Sequence, residues 1–155
     1  MVVGGTPRAR VERTGFSIVE LLLVVGLLGI IAGMIGPKIG LMVQHQRVNK
    51  AAAVVSADLQ NVFAMAGRQR APVRMTSNST AKTYTFADRK TGTVFQTRNL
   101  GPTSEYRLST LTFYPVTVDM FPNGISSAAL LVTVGSGTYT KTITASTAGF
   151  VRIVQ

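Results

Sequence analysis

A largely apolar run of twenty residues, from Phe16 to Ile35, is the feature that most constrains how this chain can fold. As a helix, it is long enough to cross the hydrocarbon core of a bilayer, which needs about 20 residues at about 1.5 Å of rise each. The run contains one charged side chain, that of Glu20, close to its N-terminal end. A charge inside such a segment is costly and usually marks function. We therefore predict that Glu20 has a cationic partner.

The residues around this run discriminate between three kinds of N-terminus. A secretory signal peptide has a shorter apolar region, of about 7 to 15 residues, and a cleavage site of small residues. Here the apolar run is longer, and Gly36, Pro37 and Lys38 form a poor site of that kind. A simple signal anchor, held with its arginine-rich start in the cytoplasm, explains the run but gives no role to Glu20.

The start of the run resembles the type IV pilin and pseudopilin family, the third alternative. Gly15 ends a short basic leader, Phe16 follows it, and the fifth residue from there is Glu20. The resemblance implies that a membrane-embedded prepilin peptidase cuts between Gly15 and Phe16, and that the new amine of Phe16 is methylated. It also implies that this ammonium group pairs with Glu20 of a neighbouring subunit and so sets the register of filament assembly.

The chain after the run predicts an α+β fold. Apolar residues recur at three- and four-residue steps from Lys38 to Gly67, which indicates an amphipathic helix continuing the apolar one, with Asp58 on its polar face. Pro37 is predicted to end or kink the helix between the two halves. The predicted domains are a cleaved leader (1–15), a transmembrane and filament-core helix (16–37) and an extracytoplasmic domain (38–155), which comprises the amphipathic helix (38–67) and a β region (72–155).

The β region alternates with a period of two and is predicted to form antiparallel strands, arranged as two small sheets on the long helix. The short "GSG" at residues 135–137 predicts a hairpin, since glycine supplies positive φ. Pro115 predicts an edge position, a bulge or a strand break. The predicted strands are residues 82–87, 93–98, 107–120, 129–134, 138–144 and 149–154.

The basic residues are candidate contacts with an anionic partner. The formal charge is +10, and removal of residues 1–15 takes away three arginines and one glutamate and leaves +8. Such a charge suits nucleic acid or anionic lipid. The ends of the chain resemble the H-type minor pseudopilins and the related fimbrial T minor pilins, some of which are thought to bind DNA through a Gly-Arg-x-Arg tail. This chain keeps half of that motif, Gly149-Phe150-Val151-Arg152. Candidate DNA contacts are Arg68, Arg70, Arg74 and Arg152; a solvated basic face or an interface with acidic subunits is the alternative.

The sequence lacks the residue sets typical of enzymes. It has no cysteine, and its one histidine, His45, is predicted to be solvated, which excludes thiol chemistry and a multi-histidine metal site. Its carboxylates lie in unlike segments, so they indicate no catalytic pair. We therefore expect no catalytic activity, cofactor or metal.

Together these features predict a minor pilin or pseudopilin that assembles into a type II secretion pseudopilus or a type IV pilus. The resemblance implies a single pass of the inner membrane, with the N-terminus in the cytoplasm and the C-terminal domain in the periplasm. The implied partners are other pilin or pseudopilin subunits and the prepilin peptidase. A DNA-binding minor pilin of natural competence is one alternative function, and a signal-anchored enzyme is a remote one.

Overall fold

We describe the protein from a computed structural model, which covers residues 15–154 apart from the side chains of residues 34–38. The chain divides into two compact units, Met1–Ile39 and Gly40–Gln155. One helix, α1, runs from Ile18–Gln69 and contributes to both units. The two predicted helical segments therefore belong to one helix, and that helix does not end at Pro37.

The first unit holds the beginning of α1. The Ser17 hydroxyl accepts a hydrogen bond from the backbone N–H of Val19 (3.3 Å), and the Ser17 carbonyl accepts one from the N–H of Leu21 (3.1 Å). Ser17 therefore caps the helix, as serine commonly does. Among the described residues, no helix combines the length and the apolarity that crossing a membrane requires. The predicted span, residues 16–37, extends into residues 34–38, whose side chains lie outside the described part.

In the second unit, α1 presents one buried apolar face. Its buried residues recur at the predicted three- and four-residue steps: Val48, Ala51, Ala52, Val55, Leu59, Val62 and Ala66. Ile39 and Met42, at the start of the predicted amphipathic segment, are exposed. The buried stripe therefore begins at Val48 rather than at Lys38. The stripe shows that the domain is built on the second half of the helix.

Two four-stranded antiparallel sheets complete the second unit. The first sheet has the order β3-β2-β1-β5 and the second has the order β4-β6-β7-β8. The first sheet consists of β1 (Val73–Asn78), β2 (Thr83–Asp88), β3 (Val94–Asn99) and β5 (Thr117–Met120). The second sheet consists of β4 (Thr110–Tyr114), β6 (Leu130–Ser136), β7 (Tyr139–Ala145) and β8 (Val151–Val154).

The inner faces of both sheets and the buried stripe of α1 form a single core. From the first sheet it takes Met75 and Phe86, and from the second it takes Leu111, Val132 and Ile143. Each of these residues lies between two less buried neighbours on its strand, so burial follows the period of two that the sequence predicts. The predicted fold class, a long helix packed on two small antiparallel sheets, is confirmed.

The strand boundaries differ from the predicted ones in two places. The strand β1 was not predicted, because only Val73 and Met75 in "VRMTSN" are apolar and the following residues have the composition of a turn. The predicted strand 107–120 breaks at Pro115, and the chain passes there from the second sheet to the first. Pro115 was predicted to cause an edge position, a bulge or a break, and a break is found.

The predicted hairpin over "GSG" is present. The strands β6 and β7 pair from Leu130↔Ala145 to Ser136↔Tyr139, which leaves a two-residue turn. Gly137 occupies its first position with φ of 62°, a conformation that suits glycine and a type II′ turn. The turn lies against the side-chain amide of Gln44 on α1. The hairpin therefore packs on the helix near the start of the second unit.

Candidate functional site

The predicted processing and assembly residues lie at the start of α1. Phe16 is exposed, and a Cβ atom at Gly15 would contact nothing within 4 Å. Glu20 is exposed and lies in the first turn of the helix, three residues after the capping Ser17. This Ser-x-x-Glu spacing is that of a capping box, and a carboxylate in the first turn interacts favourably with the helix dipole. This Ser-x-x-Glu spacing was readable in the sequence but was not recognised there as a helix-start signal.

The described part of this segment is apolar on all sides. Every side chain from Phe16 to Gly33 is exposed. The large apolar residues among them are Phe16, Ile18, Val19, Leu21, Leu22, Leu23, Val24, Val25, Leu27, Leu28, Ile30 and Ile31. A continuous apolar surface of this kind marks a site of contact with protein or membrane.

The four candidate DNA-contacting arginines occupy different surroundings. Arg68 and Arg70 are exposed at the end of α1, and Arg152 is exposed on β8. Arg74 lies on β1 directly opposite Asp119 on β5. The structure therefore separates Arg74, which has a carboxylate partner, from the other three.

Arg74 and Asp119 form a bidentate ion pair. The guanidinium donates from Nε to one carboxylate oxygen at 2.7 Å and from Nη2 to the other at 3.1 Å. Arg89 lies 3.2 Å from the same carboxylate. The hydrogen bond from Arg74 lowers the pKa of Asp119, and the same bond raises the pKa of Arg74. This pair links β1 to β5 at the edge of the first sheet.

The prediction that Asp58 lies on the polar face of the helix is wrong. Asp58 is buried, with 6% of its surface exposed. The Tyr84 hydroxyl donates to it at 2.7 Å, and the Arg98 guanidinium donates to both of its oxygens at 2.9 Å. Gln96 donates a further bond at 3.2 Å. Sequence reasoning missed this because the partners are 26 to 40 residues away.

The Asp58 cluster connects α1 to the first sheet. Burial, followed by the Asp58 carboxylate, raises the pKa of Tyr84, and the hydrogen bond to Asp58 raises the pKa of Arg98. In the described part of the chain, no buried side-chain nitrogen or oxygen lacks a hydrogen-bond partner. The cluster therefore has the properties of a structural anchor.

The outer face of the second sheet carries the other candidate site. Tyr114, Leu131, Thr144 and Arg152 lie directly opposite one another on β4, β6, β7 and β8. Together with Phe150 they border an open groove of about 430 Å³. Tyr114 and Phe150 are 78% and 74% exposed, which is unusual for aromatic side chains. We call this the C-terminal groove.

The structure is similar to the type IV minor pilin FimU of Pseudomonas aeruginosa strain PAO1, with a TM-score of 0.58 over 72% of this chain and 90% of the FimU chain. The protein has a pilin fold. A second crystal form of FimU gives a TM-score of 0.55, over 69% of this chain and 92% of the other. The sequence identity is 15% in both cases, so the likeness is one of fold.

No protein-family model matches the sequence, and no curated protein matches it. Processing at Gly15 and Phe16, assembly through Glu20 and DNA contacts by the arginines stay predictions. The finer resemblance to H-type pseudopilins and fimbrial T proteins also stays a prediction.

His45 is exposed, as predicted, and its ring stacks on that of Tyr139 at a centroid distance of 4.0 Å.

Proposed function

We propose that the protein is a minor pilin or pseudopilin, a filament subunit whose role is assembly rather than catalysis. The observation that carries this proposal is the contrast within one pilin-like chain. A folded domain packs on one face of the second half of α1, while the described part of the first half exposes its apolar side chains. Such a surface needs cover from lipid or from other helices.

The first half is proposed to lie in the inner membrane before assembly, with the domain in the periplasm. The sequence supports this through the apolar run, which continues to Ile35, and through Arg8, Arg10 and Arg13 before it. Positive residues favour the cytoplasmic side of a membrane. Prepilin peptidase is the proposed partner there, cutting between Gly15 and Phe16.

Cleavage at that site would place a new ammonium group four residues before Glu20. In low dielectric, that group on a neighbouring subunit would offset the cost of the carboxylate. The structure supports the availability of Glu20, because its side chain is exposed and faces no described partner. The pairing would then fix how far one helix slides along the next.

Of the two filament types, we favour a type IV pilus, because the similar structures are those of a type IV minor pilin. We do not extend the proposal to DNA. Arg74 is paired with Asp119, so the candidate phosphate contacts reduce to three dispersed arginines. A few surface arginines give only weak, salt-sensitive binding.

Replacing Glu20 tests the proposal. Glu20→Ala should leave membrane insertion and cleavage intact but lower the amount of protein in sheared filaments by about tenfold, a loss of about 1.4 kcal/mol. Glu105→Ala is the matched control, because it removes an exposed carboxylate from the second unit. Immunoblots of the membrane and filament fractions give the readout. Equal incorporation of both variants would overturn the role of Glu20.

A further inference from the structure

The C-terminal groove has the form of a binding surface for protein. Its border contains two exposed aromatic rings, Tyr114 and Phe150, and the outer face of the sheet adds the half-exposed side chain of Leu131. Exposed aromatic rings next to an exposed aliphatic side chain are typical of the residues that dominate protein interfaces. The groove is also open, so it suits side chains of an approaching surface.

A single charge lies at the end of the row of side chains across the second sheet, the guanidinium of Arg152. Within residues 15–154 the ion-paired carboxylates are Asp58 and Asp119, and both pair with other arginines. Asp88 accepts the backbone N–H groups of Lys90 and Thr91 in its own turn. An arginine beside aromatic rings is well suited to bind a carboxylate, because its planar fork matches the two oxygens.

The charge of the domain argues against a second copy of this chain as the occupant. Residues 40–155 contain twelve Lys and Arg against four Asp and Glu, a formal charge of +8. Two such domains repel each other, and most of their carboxylates already have partners within the domain. An acidic partner protein fits this surface better.

The position of the groove argues against lipid as the occupant. Within the second unit, the hairpin at Gly137 packs on Gln44, whereas Gly149, next to the groove, packs on Phe63. These helix positions are 19 residues apart, which is about 28 Å along the axis. The groove thus lies at the end of the domain remote from Gly40, where the chain enters from the first unit.

We propose that the C-terminal groove binds another filament subunit, which inserts an apolar side chain between Tyr114 and Phe150 and places an Asp or Glu carboxylate on Arg152. This inference rests on the proposed function for the identity of the partner as a filament subunit. The chemistry of the partner segment, an apolar residue next to an acid, comes from the groove itself.

Photocrosslinking of the full chain in its own cells tests the groove. With Tyr114→benzoylphenylalanine, irradiation should attach a filament subunit through a peptide that contains Asp or Glu. Arg152→Glu should lower the yield at least about fivefold, as expected for reversing one charge of a partly buried pair, and Arg152→Lys should keep most of it. Changing the acid of the captured subunit to Lys should restore the yield with Arg152→Glu.

The control position is Thr97, exposed on the first sheet, where the same probe should not capture that subunit. The melting temperatures of the Arg152 variants are measured as a control for folding. They should equal that of the unchanged protein. Capture of lipid, nucleic acid or a second copy of this chain would overturn the inference. A crosslinking yield that Arg152→Glu does not change would also overturn it. The filament fraction of the unchanged chain is measured in parallel: a chain that enters filaments without capture at Tyr114 refutes the groove alone, whereas absence from filaments refutes the proposed function.

Discussion

The two halves of α1 differ in what covers them, although both are helical and rich in apolar residues. In the first unit Leu28 is 58% exposed, whereas in the second Leu59 is 1% exposed. The second half is amphipathic, and its single apolar stripe packs on the two sheets. From Phe16 to Gly33 the first half exposes apolar side chains on all sides and has no buried stripe. Apolarity around a whole helix thus indicates partners outside the chain, and a stripe indicates partners within it.

The largest difference in stability is expected from truncating one leucine in each half. Leu59→Ala should lower the free energy of unfolding by about 2–5 kcal/mol, because it leaves a cavity in the core. Leu28→Ala, the matched control, should leave the unfolding of the domain unchanged. Urea denaturation of the full chain in detergent measures both. Equal losses would show that the first half is also packed within the chain.

The Asp58 cluster is a second difference between the halves, since it anchors only the second half. Asp58→Ala should cost about 2–4 kcal/mol, because the Tyr84 hydroxyl and the Arg98 guanidinium lose their acceptor. Glu105→Ala, at an exposed carboxylate, should change stability by less than about 0.5 kcal/mol. Thermal unfolding of residues 44–155, which we expect to fold alone, provides the measurement. A negligible effect of Asp58→Ala would mean that the cluster does not hold the helix.

A smaller effect is expected from acid. The hydrogen bond from Arg74 lowers the pKa of Asp119, so the folded state binds fewer protons than the unfolded state. The resulting stability is complete above the unfolded pKa of about 3.9 and is lost as the pH falls through the lower folded pKa. Arg74→Ala should therefore flatten the fall in stability below about pH 4. Denaturation at a series of pH values checks this, and an unchanged slope would exclude the pair as its source.

Local pattern predicted most of this fold, because helix and strand periods are properties of neighbouring residues. The long helix, the hairpin at Gly137 and the strand break at Pro115 all followed from such signals. The strand β1 did not, because its composition resembles a turn, and the burial of Asp58 did not, because it depends on partners far along the chain, such as Arg98. The C-terminal groove needed the strand order as well, because its row of side chains comes from four strands. The function of Glu20 was inferred from the leader beside it rather than from any contact.

We propose that the first half of α1 becomes the packing core of a filament after processing. Intact-mass spectrometry of the protein from sheared filaments and from membranes tests it most directly. We expect the filament fraction to contain a chain beginning with N-methylated Phe16. A chain that still begins at Met1 in cells with an active prepilin peptidase, and that is confined to the membrane fraction, would contradict it.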